Sequence, residues 1–188
     1  MEKETAPLWA TANHTKALES AIERLALGER EALGEIYSIC RISVYGFALS
    51  ILKNTPDAED VTQETFVKIY TEADKYAPEG KPMAWILTIT KNLCLQRFRQ
   101  TRRISQAEED FERHEGGASD VDEVLDGVVL MEAMRILSDE ERQIVILHAV
   151  SGVKHREIAK IMEMPLPTVL SKYNRAMKKL KKKMQGEE

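Results

Sequence analysis

The residues in this sequence best suited to chemistry are cations and hydroxyls grouped near its C-terminal end. Seven Lys or Arg residues and no Asp or Glu lie between Lys172 and Lys183, although the 188-residue chain has a formal net charge of −4. Thr168 and Ser171 precede this run at helical spacing. Cations bind phosphate oxygens, and short hydroxyls can approach base edges or phosphates. The pattern therefore indicates binding of a polyanion.

Charge is segregated in the rest of the chain as well. An acidic segment from Ser105 to Asp126 contains nine Asp or Glu residues, and Arg113 is its only Lys or Arg. A second basic cluster precedes it and consists of Lys91, Arg97, Arg99, Arg102 and Arg103. Because a polyanion responds to the local sign of charge, these clusters matter more than the net charge. Each basic cluster falls at the end of a predicted helical domain.

Hydrophobic periodicity predicts the helices that would position these groups. Between residues 14 and 52, apolar residues recur every three or four positions, and Gly28 separates two helices. Thr55 as a cap and Pro56 at the first helical position predict a third helix, which ends near Lys75. The loop "YAPEGKP" follows it because proline and glycine interrupt helices.

Further helices are predicted on both sides of the acidic segment. One begins near Pro82 and contains the second basic cluster. In the second half of the chain, Ser138 and Glu141 form a Ser-x-x-Glu capping box, which is typical of a helix N-terminus. Ser151 and Gly152 are predicted to end that helix.

The last two predicted helices form a helix-turn-helix. "HREIAKIM" has one apolar face, and "EMPLP" is a tight turn whose prolines are tolerated where helix N–H groups have no partner. The second helix is predicted to bury Val169, Tyr173, Ala176 and Leu180, which leaves hydroxyls and cations on the opposite face. A helical hairpin with a solvated lysine tail is the alternative that this spacing leaves open.

These elements predict an all-α protein of two small helical domains joined by a flexible acidic linker, with the helix-turn-helix in the C-terminal domain. The predicted domains are residues 10–103 and 122–184, and the linker is residues 104–121. The linker prediction depends on acidic composition and on the pair Gly116-Gly117. We also expect its acids to shield the basic surfaces in the free protein.

Other functional classes lack their characteristic patterns. The sequence has no glycine-rich phosphate loop, no Ser or Cys nucleophile motif and no metal-ligand spacing, so we predict no enzyme, no cofactor and no metal. Cys40 and Cys94 are expected to be core thiols. No apolar stretch is expected to span a bilayer, and the N-terminus lacks the pattern of a secretory signal. We therefore expect a cytoplasmic protein with no membrane insertion.

Three stretches, in this order, resemble the extracytoplasmic-function (ECF) type of bacterial RNA polymerase sigma factor. They are "DAEDVTQETFVKIY" from Asp57, "KPMAWILTITKNLCLQRFRQ" from Lys81, and "LSDEERQIVILHAVSGVKHREIAKIMEMPLPTVLSKYNRAMKKL" from Leu137. The resemblance implies that the chain binds core RNA polymerase and promoter DNA and directs transcription initiation. It also implies restraint by an anti-sigma factor. A stand-alone helix-turn-helix transcriptional regulator is the alternative, although it leaves the first stretch unexplained.

For the N-terminal domain, the resemblance implies docking on the polymerase clamp and recognition and opening of the minus-ten promoter element. The predicted polymerase-binding residues are polar and lie near one another on one helix: Asp57, Asp60, Gln63 and Glu64. The residues predicted to hold the opened strand include an aromatic ring, a side-chain amide and several cations. They are Tyr76, Lys81, Lys91, Asn92, Arg97, Arg99, Arg102 and Arg103.

For the C-terminal domain, the resemblance implies reading of the minus-thirty-five element as duplex DNA. The predicted contacts are Thr168, Ser171, Lys172, Arg175 and Lys179. The residues that depart from the family's usual pattern at or beside this surface are Lys154, Glu163, Pro167, Leu170 and Lys172. Glu163 and Pro167 stand where glycine is common, and Lys154 stands where a capping serine is usual. Because of these departures, the resemblance does not predict which promoter sequence is recognised.

Overall fold

The structure, a computed structural model, describes residues 12–107 and 134–185, with side chains described for residues 14–100 and 134–185. The first part contains α1 (Ala12–Ala26), α2 (Ala32–Leu52), α3 (Thr55–Glu72), a 3-10 turn (Ala73–Lys75) and α4 (Pro82–Ala107). The second contains α5 (Asp139–Val145), a π-helical turn (Ile146–Val150), α6 (His155–Met162) and α7 (Leu166–Met184). No residue in these described ranges lies in a strand, and the predicted all-α fold is confirmed.

The helix boundaries mostly follow local signals in the sequence. Gly28, with a φ of 96°, lies between α1 and α2 as predicted. At the start of α3, the Asn54 side chain accepts the Asp57 N–H at 2.9 Å, and Pro56 lies in the first turn. The predicted cap at Thr55 is therefore wrong, because Thr55 is already helical and the preceding residue supplies the capping oxygen.

The helix α2 is the centre of the N-terminal bundle and packs against α1, α3 and α4. Its Ile36, Val44 and Phe47 are completely buried. Within the described ranges, α2 is the one helix long and apolar enough to cross a membrane by length and composition. The expectation that no stretch reaches this limit is wrong, since a helix surrounded by others is apolar on several faces. In the structure those faces fill the core of the bundle.

The second described part forms the predicted helix-turn-helix, with α5 and α6 both packed against α7. Val169, Ala176 and Leu180 of α7 are buried together with Ile158 and Ile161 of α6. The period of these residues matches the apolar faces expected from the sequence. The outer face of α7 is thereby directed away from the core.

The turn between α6 and α7 contains a residue in the left-handed region. Glu163 ends α6 with a φ of 55° and a ψ of 41°, which costs a non-glycine residue about 1 kcal/mol or more. This conformation is the physical reason that glycine suits the position. At the other end of α6, Lys154 makes no side-chain cap, as expected where serine is absent.

The two units pack against each other. The helix α5 and the π-helical turn contact α2, while α6 contacts α4. Buried residues of both units form one apolar cluster, in which Ile146 lies beside Gly46. Lys53, which follows α2, pairs with Asp139 of α5, with 2.7 Å between Nζ and Oδ2.

The helix α4 continues into the predicted linker, through residues 104–107. These residues are Ile, Ser, Gln and Ala, and the helix ends four residues after the predicted boundary at Arg103. The rest of the predicted linker, residues 108–121, lies outside the described residues. The acids expected to shield the basic surfaces, from Glu108 onward, fall there as well.

Candidate nucleic-acid interface

One face of α7 presents most of the residues predicted to read duplex DNA. Thr168, Ser171, Lys172 and Arg175 line a shallow groove together with Pro167. Ser171 and Arg175 are exposed, whereas Thr168 and Lys172 are half-buried. The groove lies at the first turns of α7 and presents hydroxyls and cations, the groups that contact bases and phosphates in helix-turn-helix proteins.

Two of the predicted DNA-binding lysines on α7 already contact carboxylates of α5. The Nζ of Lys172 lies 2.5 Å from Glu140, and the Nζ of Lys179 lies 2.7 Å from Glu141. Both pairs lie within the helix-turn-helix unit, so either lysine would have to share its charge between a carboxylate and a phosphate. Arg175, by contrast, is exposed at the groove.

Glu141 is a buried carboxylate that joins α7 to the start of α5. The residue is 2% exposed, and its carboxylate accepts the Ser138 N–H at 2.9 Å and the Lys179 ammonium at 2.7 Å. Because Ser138 in turn accepts the Glu141 N–H, the predicted capping box is confirmed. Burial by itself would raise the pKa of Glu141, but the bonds from Lys179 and Ser138 outweigh it and lower that pKa.

Two of the acids predicted to dock on polymerase, Asp57 and Asp60, bind an arginine of α4. The Nε of Arg97 donates to Asp57 at 2.8 Å, and its second nitrogen pairs with Asp60. Hydrogen bonds to Asp57, followed by those to Asp60, raise the pKa of Arg97. Arg97 was predicted to hold promoter phosphates, yet here it connects α4 to the predicted docking face of α3.

Gln63 and Glu64 form the exposed remainder of that predicted face. Two apolar residues missed by the sequence prediction extend it along α3, since Val67 is 60% exposed and Tyr70 is 42% exposed. The signal was present in their spacing, because Val67 and Tyr70 follow Gln63 at i+4 and i+7. The exposed face therefore combines a negative charge with apolar surface.

The loop between the 3-10 turn and α4 is held by an acid of α1. One oxygen of Glu19 accepts the Tyr76 hydroxyl at 2.8 Å and the Gly80 N–H at 2.8 Å. The Tyr76 ring lies 5.2 Å from that of Trp85. Burial, and then the bond to Glu19, raise the pKa of Tyr76, so its phenol donates at neutral pH. The sequence did not point to Glu19, because Glu19 and Tyr76 are 57 positions apart and no local spacing connects them.

The remaining predicted minus-ten residues lie along α4 and its preceding loop. Asn92 and Arg99 are exposed. Lys81 lies 3.6 Å from both Glu79 and Glu157. Lys91 contacts α6. Arg102 and Arg103 lie within α4, but their side chains lie outside the described residues.

Both thiols and the histidines His148 and His155 are buried and contribute to packing. Burial raises the pKa of both Cys40 and Cys94 to about 12, so the thiols stay protonated at neutral pH. The Nδ1 of His148 donates to the Val153 carbonyl at 2.9 Å, and its ring stacks on His155. Among residues 12–107 and 134–185, no group of three His, Cys, Asp or Glu residues is placed to hold a metal ion.

Two protein-family models match the two structural units. The model of sigma-70 region 2 matches residues 36–104, and the model of sigma-70 region 4 matches residues 128–180. Both regions are thus present in one chain, in the order expected from the sequence. The chain belongs to the ECF sigma factors. The stand-alone regulator alternative fails, because such a protein has no use for region 2.

Curated relatives of this sigma factor carry the same description over nearly their full length. ECF RNA polymerase sigma factor SigK of Mycobacterium ulcerans (strain Agy99) is 27% identical over 176 residues, covering 87% of this chain and 91% of the relative. SigK of Mycobacterium sp. (strain KMS) is 28% identical over 178 residues, covering 89% and 90%. The sigma factor binds core RNA polymerase and promoter DNA and directs transcription initiation, as its family does.

Solved structures share the fold of this sigma factor. CnrH in complex with the cytosolic domain of CnrY matches with a TM-score of 0.60 and 21% identity, over 92% of this chain and 99% of that one. The sigma factor RpoE of Bartonella quintana, in complex with the anti-sigma factor NepR, matches with a TM-score of 0.62 and 23% identity, over 81% and 96%. Sigma factors are non-catalytic, soluble initiation factors.

Proposed function

We propose that this sigma factor uses three separate surfaces in transcription initiation. The exposed face of α3 docks on the polymerase clamp, the loop before α4 and α4 itself hold the opened minus-ten strand, and the groove of α7 reads the minus-thirty-five duplex. The observation that carries this proposal is the separation of charge. Exposed cations and hydroxyls lie on α4 and α7, while the exposed acid Glu64 lies on α3.

Glu64 is the acid best placed to meet a basic partner on the α3 face. Asp57 and Asp60 already bind Arg97, whereas Glu64 is exposed and makes no ion pair with any described residue. Val67 and Tyr70 next to it supply apolar area, which docking buries. We propose that Glu64, Val67 and Tyr70 form the centre of the clamp contact and that Asp57 and Asp60 act through Arg97.

Glu64→Arg is expected to weaken binding to core RNA polymerase by about 10- to 100-fold. Like charges brought together at an interface cost several kcal/mol, and the exposed position leaves the fold unaffected. The measurement is the dissociation constant with sigma-free core polymerase, followed by transcript yield from a cognate promoter in the same reconstituted system.

Glu31→Arg is the matched control, because Glu31 is exposed and the substitution changes net charge equally. It should bind core polymerase within about twofold of the parent protein, because surface charges away from a contact contribute little. Equal weakening by both variants would contradict docking through the α3 face. So would a Glu64→Arg protein that binds core normally and initiates normally.

Glu19 is proposed as a positioning residue for the base-holding loop. Its single oxygen joins Tyr76 and Gly80 and thereby fixes the path of residues 76–80 beside α1. Gly80 has a φ of 70°, so this path also needs a left-handed residue. We propose that an unpaired minus-ten base is selected by a loop that Glu19 holds in place before DNA arrives.

Glu19→Ala is expected to weaken binding of a single-stranded minus-ten oligonucleotide to the holoenzyme by about tenfold. The loop loses two charge-assisted hydrogen bonds, so part of the free energy of DNA binding is used to order the loop. Glu19→Gln should recover part of the affinity, because its amide oxygen still accepts the Gly80 N–H. Core affinity and binding to minus-thirty-five duplex should stay unchanged. A uniform loss of all three, or no loss at all, would refute the positioning role.

We also propose that the chain works in the cytoplasm, has no catalytic activity of its own and is restrained by an anti-sigma factor. The absence of nucleophile, phosphate-loop and metal-ligand motifs supports the second statement. The complexes of CnrH with CnrY and of RpoE with NepR support the third. Such a partner would cover the docking face of α3 or the basic faces of α4 and α7.

A further inference from the structure

The outer face of α7 has two edges that differ in what they already bind. On the first edge, which faces α5, Lys172 and Lys179 pair with carboxylates. On the second edge, Leu170 is 40% exposed and Asn174 is also exposed. Ser171 lies between the edges, because it follows Leu170 directly and precedes Asn174 by three positions. The sequence prediction of DNA contacts included neither residue of the second edge.

The second edge lies where a helix-turn-helix meets bases. Side chains near the N-terminus of a recognition helix contact base edges in the major groove, and Leu170 and Asn174 both lie in the first half of α7 (Leu166–Met184). Each is followed directly by a residue that lines the shallow groove, Ser171 or Arg175. Residues at i and i+4 lie about 5–6 Å apart on one side of a helix, which corresponds to about one or two base-pair steps of about 3.4 Å.

The two side chains of this edge have the chemistry that suits A·T pairs. In the major groove, thymine presents a methyl group, while adenine presents an acceptor at N7 and a donor at N6. The Leu170 side chain has no polar atom, so the methyl group is the feature of a base edge with which it makes a favourable contact. The Asn174 carboxamide contains an acceptor and a donor, so it can pair with N6 and N7 together. Neither residue carries the cation that most often pairs with guanine.

We propose that Leu170 and Asn174 form a second reading edge that selects A·T pairs in the minus-thirty-five element. Leu170 contacts the methyl group of a thymine, and Asn174 pairs with the adenine of a nearby base pair. The state of the first edge supports this assignment, because the charges of Lys172 and Lys179 are already shared with carboxylates of α5. The inference rests on the proposed function of α7 in reading this duplex.

The base preference is measured by selecting bound sequences from a pool of randomised duplexes with holoenzyme assembled on core polymerase. The parent should select an A·T pair, in a fixed orientation, at each of two positions one or two steps apart. Leu170→Ala should relax one preference about fourfold, as expected for one apolar contact with a methyl group. Asn174→Ala should relax the other about tenfold. Both residues are exposed and alanine favours a helix, so neither change endangers the fold.

Two exposed residues beyond the reading half of α7 supply matched controls. Met177→Ala is the control for Leu170, because Met177 is 41% exposed and lies about two turns further along the same edge. Gln185→Ala is the control for Asn174, because Gln185 is an exposed amide directly after α7. Neither control should change the preference at any single base pair. An equal change in the controls and in the variants of the second edge would contradict the proposal.

Modified bases test the two contacts at single atoms. Replacing the selected thymine with uracil removes only the methyl group, and it should weaken binding to the parent about fourfold and to Leu170→Ala not at all. Replacing the selected adenine with 7-deazaadenine removes the N7 acceptor, and it should weaken binding to the parent about fivefold and to Asn174→Ala not at all. An A·T preference that persists in both variants is a response to DNA shape, and it would overturn the proposal.

Failure of this inference is distinguishable from failure of the proposed function. If Leu170→Ala and Asn174→Ala keep the base preferences of the parent, or weaken all duplexes equally, while Arg175→Ala still weakens duplex binding, the second edge does not read bases and the role of α7 stands. If Arg175→Ala and Ser171→Ala also leave duplex binding by the holoenzyme unchanged, the proposed role of α7 is wrong, and the inference is overturned with it.

Discussion

Replacing Glu141 with alanine is expected to destabilise the helix-turn-helix by about 3 kcal/mol and to remove activity at promoters that need a minus-thirty-five contact. Losing the Glu141 bond to the Ser138 N–H costs about 1 kcal/mol, and leaving the Lys179 ammonium without its carboxylate partner costs about 1–3 kcal/mol. Glu141 is 2% exposed, and its side chain joins Ser138 to Lys179. Without it, α7 loses its buried polar contact with the start of α5 and keeps the half-exposed pair of Lys172 with Glu140.

Amide hydrogen exchange of the full-length chain measures this effect where it occurs. Amides of α5 and α7 should lose protection equivalent to the free-energy change, whereas those of α2 and α3 should keep theirs, because stability is not uniform across a structure. The control is Glu140→Ala, which breaks the half-exposed pair with Lys172 and should cost about 0.5 kcal/mol or less. Equal loss of protection in both variants would contradict the role of Glu141.

The direction of the Glu141 pKa shift also predicts how this stabilisation depends on pH. Because the pKa is lowered on folding, the contribution is fully present above the ordinary carboxyl value of about 4.3 and is lost as pH falls through the lower folded value. The difference in protection between the parent and Glu141→Gln should therefore be constant from about pH 8 to 5.5 and shrink below about pH 4. A difference that grows on acidification would contradict the shift.

Replacing Arg175 with alanine is expected to weaken binding to minus-thirty-five duplex DNA by about 10- to 100-fold. Arg175 is exposed in the groove of α7 beside Thr168 and Ser171. A guanidinium that pairs with a guanine edge contributes about 1–3 kcal/mol to discrimination, and a guanidinium on a phosphate contributes affinity without sequence preference. Arg175→Lys separates these roles, because an ammonium keeps the charge but lacks the planar fork.

The measurement is a binding series over duplexes that vary one base pair at a time, with Lys178→Ala as the control. Lys178 is an exposed cation on the same helix and is not among the groove-lining residues. Its removal should weaken all duplexes equally and reduce the salt slope by about 0.9. Arg175→Ala should relax preference at one position. If the two variants behave alike, Arg175 contacts a phosphate and does not read a base.

Local patterns in the sequence were sufficient to predict most of the helices. The capping box of Ser138 and Glu141, the break at Gly28 and the apolar face of α7 depend on residues within one or two turns of each other. Such signals act through hydrogen bonds and side-chain spacing along a single helix, so no other part of the chain is needed to interpret them. The exception is the start of α3, where Asn54 caps the helix in place of Thr55, although either side chain can cap.

The roles of individual charges could not be predicted in the same way. Arg97 and Lys91 look alike in the sequence as cations on one helix, yet Arg97 binds Asp57 and Asp60 on α3, while Lys91 binds Glu163 beyond α6. Neither the spacing nor the charge of these residues distinguishes the two outcomes. The two side chains have different partners because they leave α4 in different directions.

By itself, the sequence determined most of the helices and the two sigma regions, and it predicted the surfaces that we propose bind nucleic acid and polymerase. Only the tertiary structure decided which groups are engaged: Glu19 with Tyr76, 57 positions apart, and Lys91 with Glu163, 72 positions apart. The physical reason is the range of the interactions. Helix formation depends on neighbours within a few residues, whereas an ion pair needs two atoms within about 4 Å, and that proximity exists only after the helices have packed.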